Sequence, residues 1–237
     1  MKEIEEFLAK QSYPSLDLKA VFFDMDGVLF DSMPFHALAW TRTMQNNGFD
    51  FTEYDAYMNE GRTGESTINE FFLRHRGRVA TDEECKAMYA EKGRYFEACG
   101  PVKPLKYVLE LLHKIQAQGL DIYIVTGSAQ RSLLNTLHHH FGTIFEKEKM
   151  VTAFDVKYGK PNPEPYLMAL QKAKIEPWQA VVIENAPLGI QAGVGAGIFT
   201  IGVNTGILED KVLLDAGAHV VYPSMHELLT QWTTIYD

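Results

Sequence analysis

From Leu105 onward, short apolar runs alternate with longer stretches of helical periodicity, and this alternation decides the architecture. Runs of strand character cover 120–125, 151–154, 180–183, 199–203 and 219–222, while helical patterns cover 105–118, 128–140, 163–174, 188–194 and 208–216. A final helix opens at Ser224 and Glu227, spaced as a capping box. Strands that alternate with helices of this length predict a parallel sheet covered on both faces. One further apolar run, Ala20–Phe23, stands far upstream. The interval from Phe35 to Cys99 is helical and carries no strand pattern; Gly48, Gly61, Gly64 and Gly77 divide it, and Thr81 with Glu84 forms a capping box before its last long helix. Ile4, Phe7 and Leu8 give the first 17 residues the spacing of a short amphipathic helix packed on the core. The expectation is an α/β fold with a doubly wound, mainly parallel sheet, interrupted after its first strand by an all-helical insert.

The first strand ends in Asp24-Met25-Asp26-Gly27. In open α/β sheets, ligands bind at the carboxyl ends of the strands. If the strand continued to Asp26, both carboxylates would share one face. Two acids at close range are costly unless a cation, a proton or a phosphoryl transfer needs them. Three later strand ends also carry chemistry. Thr126-Gly127-Ser128 offers a hydroxyl, backbone amides and a helix start, which suit an anion; the plainer reading makes Ser128 a helix cap. Gly159-Lys160-Pro161 holds a lysine in a stiff loop, where it could neutralise a phosphoryl group or simply face solvent. Glu184-Asn185 could supply hard oxygens to Mg²⁺ or form only a cap and turn.

Composition narrows the partners. The chain has 237 residues with a formal net charge of −9, which argues against nucleic acid and anionic membranes but not against a phosphorylated metabolite. No apolar stretch approaches the roughly 20 residues of a membrane span. The sequence MKEIEEFLAKQ lacks the pattern of a signal peptide. Two cysteines, Cys85 and Cys99, make a disulfide scaffold a poor expectation. A cytoplasmic protein with no obligatory protein partner is therefore expected.

An acid pair, a hydroxyl, a lysine and a Glu-Asn pair, in that order and each at a strand end, resemble the four motifs of the haloacid dehalogenase superfamily. Within it the chain is most similar to the β-phosphoglucomutase-like branch, from Lys19 to about Tyr222. The resemblance implies a Rossmann-like core, residues 1–34 and 101–237, and a helical cap domain, residues 35–100. It also implies Mg²⁺-dependent phosphoryl transfer on a small phosphorylated metabolite, a sugar phosphate above all. Asp24 would form an aspartyl-phosphate and Asp26 would act as general acid and base. Thr126, Gly127, Ser128 and Lys160 would hold phosphoryl oxygens. Asp24, the Asp26 carbonyl, Glu184 and Asn185 would hold Mg²⁺.

The departures from the pattern matter as much. The fourth motif usually ends in Asp, and Asn185 carries no charge, which would make Glu184 the weightier ligand. The mutases place an arginine for a second phosphate where Gly64 aligns; Arg62 stands two positions away. They also carry a lysine where Ala129 stands. His36 aligns with a cap-hinge histidine of the mutases. Phosphatase and β-phosphoglucomutase-type mutase therefore both remain as readings, with a non-catalytic phospho-accepting sensor as a remote third. Two other motifs lead nowhere. His138, His139 and His140 are adjacent and so do not share a helix face. Gly193-Val194-Gly195-Ala196-Gly197 follows a helix and precedes a strand, the reverse of a dinucleotide fingerprint.

Overall fold

The computed structural model describes residues 1–128 and 131–236, without the side chains of residues 131–134 and 236. Helix α1 (Lys2–Gln11) buries Ile4 and Phe7, and Phe7 meets the rings of Phe199 and His219 edge-on. Strand β1 (Ala20–Phe23) leads into four helices: α2 (Met33–Asn46), α3 (Glu53–Met58), α4 (Gly64–Arg76) and α5 (Asp82–Ala98). The alternating region then gives α6 (Val108–Ala117), β2 (Asp121–Val125), α7 (Arg131–Phe141), β3 (Met150–Val151), α8 (Glu164–Ala173) and β4 (Ala180–Glu184). It closes with α9 (Pro187–Gly195), β5 (Phe199–Val203), α10 (Asp210–Asp215), β6 (Val220–Tyr222) and α11 (Met225–Tyr236).

All strand pairs are parallel and the order is β3-β2-β1-β4-β5-β6. The chain runs outward from β1 in both directions, so the switch point lies at β1, where such sheets bind ligands. Residues of β1 alternate between two apolar layers. Val21 and Phe23 join a core with α1, α6, α7 and α11, while Ala20 and Phe22 join one with α8 and α9. Burial on both faces explains why β1, β4 and β5 read as unbroken apolar runs rather than alternating ones.

Helices α2 to α5 build a third apolar cluster around Phe49, Phe51, Ile68, Phe71, Phe72 and Met88. That cluster runs on into Ile190, Leu208 and Leu213 of the α/β region. The Thr81 and Glu84 capping box forms at α5 as its spacing predicts. Several boundaries move. The strand expected at 151–154 is only Met150–Val151, and α6 starts three residues late. Strand β1 does not continue to Asp26: Asp24 keeps one ladder bond, from its amide to the Ile183 carbonyl, and the chain then turns at Gly27 with φ 77°. Asp24 and Asp26 thus owe their directions to a turn rather than to a shared strand face. Among the described residues no helix is long and apolar enough to cross a membrane.

Candidate active site

The register of the sheet assembles the first part of the site. Phe23 pairs with Ile124 on one side and Ile183 on the other. One residue further along each strand, Val125, Asp24 and Glu184 therefore lie side by side. Lys160 spans this row. Its Nζ donates to Asp24 Oδ1 at 2.5 Å, to Glu184 Oε1 at 2.6 Å and to the Val125 carbonyl at 2.8 Å. The ammonium also lies over the Tyr166 ring, whose hydroxyl donates to Glu184 Oε1 at 2.8 Å. Lys160 is 2% exposed, so the solvent-facing reading of this lysine is excluded. Burial opposes the charge on Lys160, but Asp24 and then Glu184 outweigh it and hold the ammonium above the ordinary lysine range. Burial raises Asp24; Lys160 pulls it back, and the nearby Glu184 and Asp26 carboxylates raise it further.

Asp26 faces a different environment. Its Oδ1 accepts from Ser32 Oγ at 2.6 Å and lies 3.1 Å from His36 Nε2. His36 Nδ1 is in turn 2.8 Å from Lys92 Nζ. An ammonium can only donate, so Nδ1 accepts and Nε2 carries the proton that points at Asp26. The ring of His36 rests on Phe96. Burial lowers His36, and Lys92 lowers it further, which favours the neutral ring. Burial alone would raise Asp26, yet His36 and Ser32 outweigh it and hold the carboxyl below its usual range.

Thr126 is buried and its Oγ1 accepts from the Ser128 amide at 3.0 Å. The helix cap expected of Ser128 falls on a stretch that, like Ala129, lies outside the described residues. Loop 60–64 of the helical block covers this end of the sheet. A methyl on Gly61 would lie 3.1 Å from Lys160 Cδ, and one on Gly127 would meet the Gly61 carbonyl oxygen at 2.5 Å. Asp24, Asp26, His36, Arg62, Thr126 and Ser128 thereby line one pocket between the sheet and the helices. Gly64 also borders it, but its open side is filled by the Tyr89 ring. Arg62 reaches Ser66 Oγ at 3.3 Å, and its Nε is buried without a hydrogen-bond partner among the described residues.

The donor set fits a hard cation. Four carboxylates, Asp24, Asp26, Glu60 and Glu184, influence one another here, against the ammonium groups of Lys160 and Lys92. Among the described residues, no three His, Cys, Asp or Glu side chains gather tightly enough to cage a metal alone. The oxygen left open is an amide oxygen. Asn185 Oδ1 is buried with no hydrogen-bond partner among the described residues. Glu184 is engaged on both oxygens: Oε1 by Lys160 and Tyr166, and Oε2 by the amides of Asn185 and Ala186. Glu184 thus fixes Lys160, and the acceptor without a donor is Asn185 Oδ1.

Sequence reasoning missed Glu60, Tyr89, Lys92 and Tyr166. Lys92 did leave a signal. It falls on the buried stripe of α5 with Met88 and Phe96, four residues from each, where a lysine is out of place. Glu60 left none, because a glutamate beside a glycine in a loop is ordinary.

The model of the haloacid dehalogenase-like hydrolase family matches residues 18–197. The chain is 32% identical to validoxylamine A 7'-phosphate phosphatase of Streptomyces hygroscopicus subsp. limoneus over 86% of its length and 97% of that protein. It is 31% identical to the phosphorylated carbohydrates phosphatase of Thermotoga maritima, over 85% and 92%. Among solved structures, one described as "Putative beta-phosphoglucomutase from Bacteroides vulgatus" superimposes with a TM-score of 0.95 at 54% identity, covering 99% of this chain and 96% of that one. With the six-stranded parallel sheet and the motif residues gathered at its switch point, these matches make the chain an enzyme of the haloacid dehalogenase-like hydrolase family.

Proposed function

We propose that the enzyme is a phosphatase for small phosphorylated carbohydrates, working through an aspartyl-phosphate on Asp24. The observation that carries this reading is the Lys160 bridge. It ties Asp24 Oδ1 to the floor of the site and leaves Oδ2, with no hydrogen bond among the described residues, as the attacking atom. Asp24 Oδ2 would bond to phosphorus while the bond from phosphorus to the sugar oxygen breaks. The negative charge of the bound phosphate would raise Asp26 and load it with the proton that it then gives to that oxygen. Its Oδ1 is occupied by Ser32 and His36, which leaves Oδ2 to face the substrate. Water would then attack phosphorus, Asp26 would take back a proton, and inorganic phosphate would leave with Asp24 restored. Lys160 and the amides after Thr126 would hold the non-bridging oxygens. Mg²⁺, held by Asp24 and Asn185 Oδ1, would supply charge neutralisation between the carboxylate and the phosphate. Residues 35–100 would act as a cap over a core of residues 1–34 and 101–237, excluding water during the first transfer.

The water-acceptor reading draws on Gly64. The position that would carry a second-phosphate arginine lies against Tyr89, which leaves no room for a longer side chain. The phosphatases among the relatives agree with it. A mutase reading is favoured by the contact of His36 with Asp26 and by the Bacteroides vulgatus structure. Hydrolysis of sugar phosphates and of p-nitrophenyl phosphate, with and without Mg²⁺, tests the first reading against an Asp24→Asn variant. Equal rates in parent and variant would remove Asp24 as nucleophile. β-Glucose 1-phosphate with a trace of the 1,6-bisphosphate tests the second: glucose 6-phosphate must appear faster than free phosphate.

A further inference from the structure

We propose that Glu60 completes the cation site through Asn185, so that binding the cation and seating the cap become one event. This rests on the reading of Asp24 as a phosphoryl acceptor beside a divalent cation. Asn185 Nδ2 lies 3.1 and 3.0 Å from the two oxygens of Glu60. A carboxylate only accepts, so the NH₂ end of the amide must face Glu60 and the oxygen must face away. That oxygen is the buried, unpartnered Oδ1, on a residue only 6% exposed. A buried carbonyl oxygen without a donor asks for a cation. Burial and the Asp24, Glu184 and Asp26 carboxylates hold Glu60 well above the usual glutamate range. A cation at Oδ1 would favour its charged form, so that the opposite end of the same amide then leans on a negative charge that polarises it. An aspartate at this position would carry its own charge; Asn185 borrows one from Glu60.

The two residues come from different parts of the fold. Asn185 follows β4, at the sheet, and packs against the Gly27 turn. Glu60 lies between α3 and α4, next to Gly61, which rests on Lys160. Glu60 therefore reaches Asn185 only when loop 60–64 is down on the sheet. Outer partners of this kind set metal affinity by about 10- to 100-fold. Glu60 is on this argument a positioning residue.

The test is Mg²⁺ titration by calorimetry on the intact protein, read together with the radius of gyration by small-angle scattering. Glu60→Gln should weaken Mg²⁺ binding by about 10- to 100-fold. Adding Asn185→Asp to that variant returns the charge to the sheet and should restore binding to within about threefold of the parent. Saturating Mg²⁺ should compact the parent but not the double variant, whose cation no longer needs the cap. Glu60→Gln binding Mg²⁺ like the parent overturns the inference and leaves the phosphatase reading standing. A parent that binds no Mg²⁺, or an Asp24→Asn variant that binds it as tightly, overturns the reading beneath it.

Discussion

Lys160 and Lys92 are both buried ammonium groups, and their surroundings give them opposite consequences. Lys160 has two carboxylates and a carbonyl within 2.8 Å. Removing one partner of a buried ion pair leaves an uncompensated charge and costs about 3–5 kcal/mol. Lys160→Met should lose about that much in urea unfolding, and hydrolysis should fall at least about 100-fold. Among the described residues Lys92 has no carboxylate in hydrogen-bond contact; His36 and the faces of Trp40 and Phe96 surround it. Burial lowers its pKa from 10.5 to about 8, against the pull of Asp26. The unfolded chain therefore binds a proton more readily than the folded one between those values, and folding stability must rise with pH across that window. The unfolding free energy of the parent minus that of Lys92→Met should increase from pH 8 to 10.5 by on the order of 3 kcal/mol. A flat difference across that range would mean that burial does not lower Lys92 and that it stays charged in its pocket as in the unfolded chain. Asp24, Thr126, Lys160 and Glu184 were legible because each ends or follows a strand, and strand ends converge in a parallel sheet. Glu60 and Tyr166 were not, since their partners lie about a hundred residues or more away or come from a separate layer.

The elements themselves were legible for a simpler reason: periodicity and capping are local. What periodicity cannot show is where an element's surface is already occupied. In α9, Gly189 lies so close to the Glu184 carboxylate that no methyl fits. In α5, Gly93 has nothing within 4 Å of where its methyl would sit. Helix propensity favours alanine over glycine by about 1 kcal/mol at both. Gly93→Ala should follow propensity, gaining up to about 1 kcal/mol in thermal unfolding with activity unchanged. Gly189→Ala should do the reverse. It would drive Glu184 off Lys160 and Tyr166, so stability should drop by about 1–3 kcal/mol as buried polar groups lose partners, and activity should drop with it. If both substitutions stabilised alike, the tight seating of Glu184 against α9 would be wrong. The same lesson applies at Gly64, where a glycine aligns with the mutases' arginine and the fold fills the space with Tyr89.

For the molecule as a whole, the helical block and the sheet must meet closely for the site to exist, and one contact measures how closely. Gly127 sits at the end of β2 beneath loop 60–64. A methyl there would lie 2.5 Å from the Gly61 oxygen, 3.2 Å from its carbonyl carbon and 3.4 Å from the Arg62 oxygen. All three atoms are backbone of the covering loop, and none belongs to the sheet. The sheet and its apolar layers can therefore accept Gly127→Ala without rearrangement, while the loop must lift. The Gly127 backbone is not in the positive-φ region, so alanine adds no strain of its own. Gly127→Ala should keep the parent's melting temperature to within about 2 °C, the range of a surface change. Hydrolysis of a sugar phosphate should still fall on the order of 100-fold, the cost of misplacing reacting groups by about an ångström. The radius of gyration should increase, because Glu60, Gly61 and Arg62 move as one segment. Parent-like turnover would show that chemistry proceeds with the loop raised, and the closed pocket would then be a resting state rather than the working one.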